Sequence, residues 1–377
     1  MARTRLPLPI SGVLPTLHRV LADGVSAVLQ APPGAGKTTG VPPSLLDAPW
    51  LGERRIVMLE PRRLAARAAA RRMASGIGEP VGETVGFRVR GESRVGPRTR
   101  IEVVTEGILT RMLLADPALE RVGIVLFDEF HERSIHADLG LALTLHGRSI
   151  LRDDLRVLVM SATLDGAAVA ELLGGAPVVT SPGQDHPVET RYLPSRPGTR
   201  LEAAAASAVR TALDETAGDV LVFLPGAGEI RRVEALLGDL AEADVLPLHG
   251  NLPIEAQDRA LRPGIRGRRK VVLATSIAET SLTIDGVRTV VDAGWSRVPR
   301  YSPRTGMSRL ATVRVSIASA DQRRGRAGRQ GPGVCYRLWS EHHHRLLAPS
   351  GRPEILEADL APLALDLAAA GVSDPHE

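Results

Sequence analysis

The stretch Gln30-Ala31-Pro32-Pro33-Gly34-Ala35-Gly36-Lys37-Thr38-Thr39 decides how the rest of the chain is read. Val25, Ala27, Val28 and Leu29 precede it and predict a strand. The run Gly36-Lys37-Thr38-Thr39 can open a helix. A strand, a glycine-rich turn and a helix start are the setting of a phosphate-binding loop. Glycines let consecutive backbone N–H groups curl around phosphate oxygens, and the helix N-terminus adds partial positive charge. Pro33, Gly34, Ala35 and Gly36 would form the cradle. Lys37 would reach the β- and γ-phosphates of a nucleotide, and Thr38, followed by Thr39, would offer its hydroxyl to Mg²⁺. Ala31 replaces the first glycine of the G-x-x-x-x-G-K-T pattern, which is tolerable where φ is negative.

Composition sharpens this reading. Of 47 basic Lys and Arg residues only Lys37 and Lys270 are lysine. A chain that uses arginine almost everywhere keeps a compact ammonium where a phosphate loop needs one. At 377 residues, 44% of them apolar, the chain has room for two or three domain cores. The net charge of +4 and the arginine excess allow an anionic partner. Aromatics make up only 3%, too few for a grip built on base stacking, so a nucleic acid would be held by phosphate and sugar. The single cysteine, Cys335, excludes an internal disulfide and reads as a buried thiol. The N-terminus is broken by Pro7 and Pro9 and no run approaches a membrane span, which predicts a cytoplasmic protein with no membrane contact.

Outward from the loop, apolar strands alternate with helical stretches. Strands are predicted over 55–59, 101–104, 123–127 and 157–160, and each runs into polar residues: Glu60-Pro61-Arg62-Arg63, Thr105-Glu106, Asp128-Glu129 and Ser161-Ala162-Thr163. That pattern predicts a parallel, doubly wound α/β sheet. Arg63, Arg67 and Arg71 fall on one stripe of an Ala-rich helix. The stripe reads as a solvated face for Arg67 and Arg71, whereas Arg62 and Arg63 sit where a ligand meets the sheet's carboxyl edge. Residues 181–199 are rich in proline and glycine and read as a crossing between domains. A second sheet then starts, with strands at 220–224, 270–274 and 287–291. A last helix is predicted from Ile355 to Ala370, with Leu356, Leu360, Leu363 and Leu367 on one stripe. The expected boundaries are 1–193, 194–345 and 346–377.

Two further patterns carry chemistry. Asp128-Glu129 ends an all-apolar strand. Alone, such a pair is more often a helix N-terminal charge; after a phosphate loop it reads as the partner that holds Mg²⁺ through Asp128 and activates water through Glu129. Gln322-Arg323-Arg324-Gly325-Arg326-Ala327-Gly328-Arg329 is open to reading as a solvated loop or a nucleic-acid patch. Its spacing also lets Arg326 and Arg329 share a helix face and act as arginine fingers on a γ-phosphate. His342-His343-His344 reads as solvated, since three consecutive histidines do not converge on one metal ion.

Taken in order, A-P-P-G-A-G-K-T-T, P-R-R-L-A-A-R, T-E-G-I-L-T-R, D-E-F-H, S-A-T, A-T-S-I-A-E-T-S-L-T-I-D-G and Q-R-R-G-R-A-G-R resemble the DEAH branch of superfamily 2 helicases over essentially the whole chain. Ala31, Asp128-Glu129-Phe130-His131 and Phe223-Leu224-Pro225-Gly226-Ala227-Gly228-Glu229-Ile230 resemble the bacterial HrpB type most. The resemblance implies two tandem RecA-like domains followed by the start of a C-terminal helical, winged-helix element. It implies an ATP-dependent RNA helicase that moves 3′ to 5′, accepts other NTPs with Mg²⁺, and works as a monomer on mainly single-stranded RNA. His131, Ser161 and Thr163 would couple hydrolysis to domain movement, and Gln322 would stand near the attacking water. The nucleic-acid track would run over Arg62, Arg63, Thr105, Arg111, His249, Gly250, Thr275, Thr283 and Asp285, with Asp285 accepting from a ribose 2′-OH. Residues 300–312 resemble a wedging hairpin in which Tyr301 or Met307 is the wedge or a core residue. The terminal helix implies a piece of a longer helicase. Two rival readings are an RNA-stimulated ATPase that remodels RNA–protein complexes without unwinding, and a catalytically silent nucleic-acid scaffold.

Overall fold

A computed structural model describes residues 8–162, 166–182, 186–264, 267–279, 284–372 and 374. The chain divides into two units, residues 1–183 with 353–377, and residues 184–352. Each is a RecA-like α/β sheet, and C-terminal helices follow the second.

The first unit contains β1 (Ser26–Gln30), β2 (Arg55–Leu59), β3 (Val85–Val89), β4 (Glu92–Arg94), β5 (Ile101–Val104), β6 (Val122–Phe127), β7 (Arg156–Ser161) and β8 (Val178–Thr180). They lie in the order β4-β3-β5-β2-β6-β7-β1-β8. Every pairing is parallel except β3 with β4. Its helices are α1 (Leu14–Asp23), α2 (Lys37–Ser44), α3 (Arg63–Ile77), α4 (Glu106–Ala115), α5 (Ile135–Leu151) and α6 (Gly166–Leu172). The central strands β2, β6 and β7 are apolar at nearly every position because both faces are covered. Leu29, Ile56, Met58, Leu126 and Met160 enter one core, and Val28, Val57, Leu59, Phe127 and Val159 enter the other. Alternation of side chains across the pleat divides them in this way.

The second unit contains α7 (Leu201–Glu215), α8 (Ala227–Leu237), α9 (Ile254–Leu261), α10 (Ile317–Gly325) and α11 (Glu341–Arg345). Its strands are β9 (Val188–Tyr192), β10 (Asp219–Phe223), β11 (Ala243–Leu248), β12 (Arg269–Ala274), β13 (Val287–Asp292) and β16 (Gly333–Arg337). They form a parallel sheet in the order β11-β12-β10-β13-β16-β9. β14 (Trp295–Ser302) and β15 (Met307–Arg314) form a separate antiparallel hairpin. It extends the one read at 300–312, and Met307 is 66% exposed on it rather than in a core.

Four local expectations are revised. The stretch read as a crossing holds β9, whose V-E-T-R-Y alternation supplies an edge strand to the second sheet. Arg67 is not solvated: it is buried, with Nε 2.8 Å from Glu92 on β4. That partner is remote in sequence, so helix periodicity could not show it. His344 is not simply solvated either, since it packs on Trp339 with its ring 3.2 Å from Arg337. The leucine stripe is only half realised. A single turn at Glu354–Leu356 stops, and α12 (Ala361–Ala369) begins afresh behind Asp359, which accepts from Ala361 N. Pro362 near its start lacks an N–H and clashes with a preceding turn, so it begins a helix but cannot continue one. Leu363 and Leu367 pack on the first unit's core, while Leu356 stays exposed. No helix among the described residues is long and apolar enough to cross a membrane.

Candidate functional site

Most of the residues singled out in the first unit lie at the carboxyl edge of its sheet. The phosphate-loop stretch follows β1, Arg62 follows β2, Thr105 follows β5, Asp128 follows β6, and Ser161 closes β7. Parallel strands bring their carboxyl ends to one edge, which is where such sheets bind ligands.

Gly34 and Gly36 have φ of +88° and +92°, a region that excludes most L residues. At Gly36 a Cβ would also stand 2.7 Å from Leu8. Ala31 has no such φ, and its N–H bonds the Ser161 carbonyl at 2.9 Å, so the missing first glycine costs nothing here. Pro33 and Ala35 complete the turn, and Ala35 accepts from Ile10 N at 3.0 Å. α2 starts at Lys37, so Thr38 and Thr39 lie in its first turn.

Thr38 Oγ1 donates to Asp128 Oδ2 at 2.5 Å. Lys37 Nζ donates to both Glu129 oxygens at 3.2 Å. All four functional groups are thus gathered from β1's loop and β6's end. Burial, with Glu129 alongside, lifts the Asp128 carboxyl to about 6, against the pull of Lys37. A hydroxyl and a carboxylate are hard oxygen donors that suit Mg²⁺, which keeps several waters and needs few protein ligands. The donor set therefore fits that ion.

Glu129 has φ +51° and Arg133 φ +50°, left-handed for non-glycine residues. Each costs on the order of 1–2 kcal/mol and must be held by its surroundings. Phe130 does part of this: it is buried, edge-on to Phe127. His131 Nδ1 accepts from Ala162 N at 3.5 Å, at the end of β7 beside Ser161, and the same nitrogen stands 3.5 Å from the Glu129 carboxylate. Thr163 lies outside the described residues.

In the second unit Gln322 sits half-buried on α10. Arg326 opens a 3-10 turn, Arg326–Gly328, that Arg329 closes. At 3-10 pitch, side chains three apart eclipse, so the two arginines keep a common face although α10 has ended. Arg326 is buried, and its Nε donates to the Glu279 carbonyl at 2.9 Å. The sequence pattern gave no role to Arg323. It is fully buried, paired with Glu279 at 3.0 Å and Asp292 at 2.9 Å, and lies over the Phe223 ring. Glu279 therefore holds both Arg323 and, through its carbonyl, Arg326.

The proposed nucleic-acid residues fall into two sets. In the first unit Arg62 is 3.2 Å from Glu132, Arg63 is exposed at the start of α3, and Thr105 precedes α4. Arg111 lines a cleft of about 600 Å³ with Arg88 and Arg90 of the β3–β4 hairpin, two basic residues the motif reading missed. In the second unit His249 and Gly250 follow β11, and Thr275 follows β12, at that sheet's carboxyl edge. Burial and Arg231 lower the His249 pKa. Asp285 does not join them. It precedes β13, its carbonyl accepts from Lys270 near the start of β12, and its carboxylate accepts from Gln330 at 2.9 Å. Thr275, just past the end of β12, stands five residues beyond Lys270, roughly 17 Å at strand rise. Asp285 therefore stands at the amino edge, away from the edge that carries His249, Gly250 and Thr275. Thr283 lies outside the described residues.

Residues 14–172 match the DEAD/DEAH box helicase family, and 204–331 match the helicase conserved C-terminal domain. Over 98% of the chain it is 50% identical to the ATP-dependent RNA helicase HrpB of Escherichia coli (strain K12). The chain is thus similar to DEAD/DEAH box helicases in both of its units. It is also 38% identical, over 99% of its length, to the pre-mRNA-splicing factor ATP-dependent RNA helicase prp22 of Schizosaccharomyces pombe. It covers 46% of the first relative and 33% of the second, so it spans half or less of the curated helicases it matches. The crystal structure of the Escherichia coli DEAH/RHA helicase HrpB superposes with a TM-score of 0.93 at 49% identity, over 98% of this chain and 47% of that one. A crystal structure of the E. coli DExH-box NTPase HrpB gives 0.86 at 49% identity, over 100% of this chain and 46% of that one.

Proposed function

We propose that this chain binds ATP or another nucleoside triphosphate and hydrolyses it under stimulation by RNA, as the core of an RNA helicase moving 3′ to 5′. The observation that supports it most is the pairing of Thr38 with Asp128 and Lys37 with Glu129 behind a loop whose two glycines have positive φ. Thr38 and Asp128 would hold Mg²⁺, which would supply positive charge against the phosphates. Lys37 would exchange a carboxylate for phosphate oxygens. Glu129, so released, would accept the proton of the attacking water. Gln322 would orient that water, and Arg326 and Arg329 would balance charge on the departing phosphoryl group. His131 and Ser161 would pass the state of Glu129 to the end of β7. Arg62, Arg63, Thr105, Arg111, His249, Gly250 and Thr275 would grip single-stranded RNA by phosphate and sugar. The chain would act as a monomer in the cytoplasm.

The test is nucleotide hydrolysis measured with and without single-stranded RNA, beside a Glu129→Gln control. RNA-stimulated turnover that the control lacks supports the proposal. Binding of RNA with no turnover would favour the scaffold reading and overturn it.

A further inference from the structure

The turn that carries Glu129 and His131 ends on a second left-handed residue, Arg133, and then opens α5. Something must hold that end, because a strained turn relaxes unless its neighbours fix it. Within the turn, Arg133 N bonds the Phe130 carbonyl at 3.2 Å, and its guanidinium reaches Asp138 on α5. Ser134 caps α5 by accepting from Ala137 N at 3.1 Å, and its hydroxyl donates to Glu106.

The remaining contacts come from far along the chain. Glu354 N donates to the Arg133 carbonyl at 3.1 Å. The Glu354 carboxylate accepts from Ile135 N, also at 3.1 Å. One residue thus brackets Ser134 from both sides, with its main chain on 133 and its side chain on 135. Its charge also suits the positive end of α5, where the first N–H groups have no partner inside the helix. Glu354 is itself anchored. Glu357 N and Ala358 N bond its carbonyl. Leu363 and Leu367 of α12 then pack into the core cluster that contains Phe130.

We infer that Glu354 is a positioning residue for the Glu129–His131 turn, so that the segment from Pro353 sets how fast the site turns over. The inference rests on the proposed hydrolytic function of that site. It acts by geometry: loosening residues 133–135 lets Glu129 leave its left-handed conformation, and small misplacements of a catalytic group are costly in rate. Nucleotide affinity depends on the loop after β1, which Glu354 does not touch, so kcat should move and KM should not.

The test uses the full chain and its Glu354→Ala, Glu354→Gln and Glu354→Asp variants. Steady-state ATP hydrolysis gives kcat and KM, thermal melting checks the fold, and hydrogen exchange is followed by mass spectrometry over 129–137. Glu354→Ala is expected to lower kcat about tenfold with KM within about twofold, and to speed exchange in that peptide. Glu354→Gln keeps an oxygen for Ile135 N and should restore most of kcat. Glu354→Asp keeps the charge but shortens the reach and should not. Parent-like kcat in both Glu354→Ala and Glu354→Asp overturns the inference, as does a loss carried by KM. If Glu354→Ala does not fold, the contrast between Glu354→Gln and Glu354→Asp decides. If the parent itself hydrolyses nothing, the hydrolytic reading fails instead. Exchange over 129–137 then still tests the clamp, and unchanged exchange in every variant overturns it.

Discussion

Lys37 Nζ stands 3.2 Å from each carboxylate oxygen of Glu129, and both side chains are almost wholly buried. The pair keeps two charges in a dry place, which is tolerable only because each satisfies the other. It also ties the phosphate-binding group to the group proposed to activate water. Glu129→Gln should therefore leave nucleotide affinity within about threefold of the parent while lowering turnover by at least about 100-fold, the usual scale for a general base. Lys37→Ala should weaken both. Near-normal turnover in Glu129→Gln, read in a coupled phosphate-release assay, would assign the base elsewhere.

Arg326 is buried with its Nε on the Glu279 carbonyl, so its guanidinium is directed before any phosphate arrives. A preset cation acts mostly on charge that develops in the transition state. Arg326→Ala is expected to lower kcat by at least about 100-fold and to change the Kd of ATP far less. Arg326→Lys keeps the charge but loses the planar fork, and should recover little. Equal loss in Kd and kcat, measured by fluorescent-nucleotide titration beside turnover, would make it a ground-state contact instead.

How much of this was legible in the sequence depends on distance along the chain. β1, β2, β5, β6 and β7 are local apolar runs that end in chemistry-bearing residues, so both the sheet and its functional edge could be read. Arg67 could not be placed, because the partner that buries it is Glu92 on a three-residue strand. Glu354 carries no motif and matters only through its contacts with 133 and 135. The i, i+4 spacing of Leu356 and Leu360 suggested one helix with Leu363, and the backbone constraint of Pro362 overrode it. Arg323 was visible only as one arginine in a run, and the carboxylates that make it structural come from β13 and the segment after β12.

Glu106 offers a pH test of the same neighbourhood. Burial, with Glu132 and Glu354 nearby, pushes its carboxyl from the ordinary 4.5 up to about 7, although the Ser134 hydroxyl favours the ionised form. Between these two values the native state holds a proton that the unfolded chain releases. Stability contributed by this residue is thus complete below about 4.5, falls as pH rises to about 7, and changes no further above it. Glu106→Gln keeps an acceptor for Ser134 and removes the ionisation. It should match the parent near pH 4.5 and exceed it at pH 8 by about 2 kcal/mol after allowance for solvent screening. Urea unfolding at the two pH values checks this, and a difference that does not grow with pH would contradict it.

The relation between Asp285 and Thr275 makes the last prediction. Both belong to the stretch after β12 that resembles one helicase motif, yet they stand at opposite edges of the second sheet. On the proposed function, RNA phosphates would be gripped where N–H groups and hydroxyls converge, at the carboxyl edge with His249, Gly250 and Thr275. Thr275→Val should weaken RNA binding several-fold, and the parent's affinity should fall steeply with salt because the grip is electrostatic. Asp285→Asn keeps its carbonyl for Lys270 and an oxygen for Gln330. It should leave both RNA affinity and the preference for RNA over single-stranded DNA unchanged. Fluorescence anisotropy with matched RNA and DNA oligomers separates the two positions. A loss of RNA preference in Asp285→Asn alone would return that residue to the track and overturn the two-edge assignment.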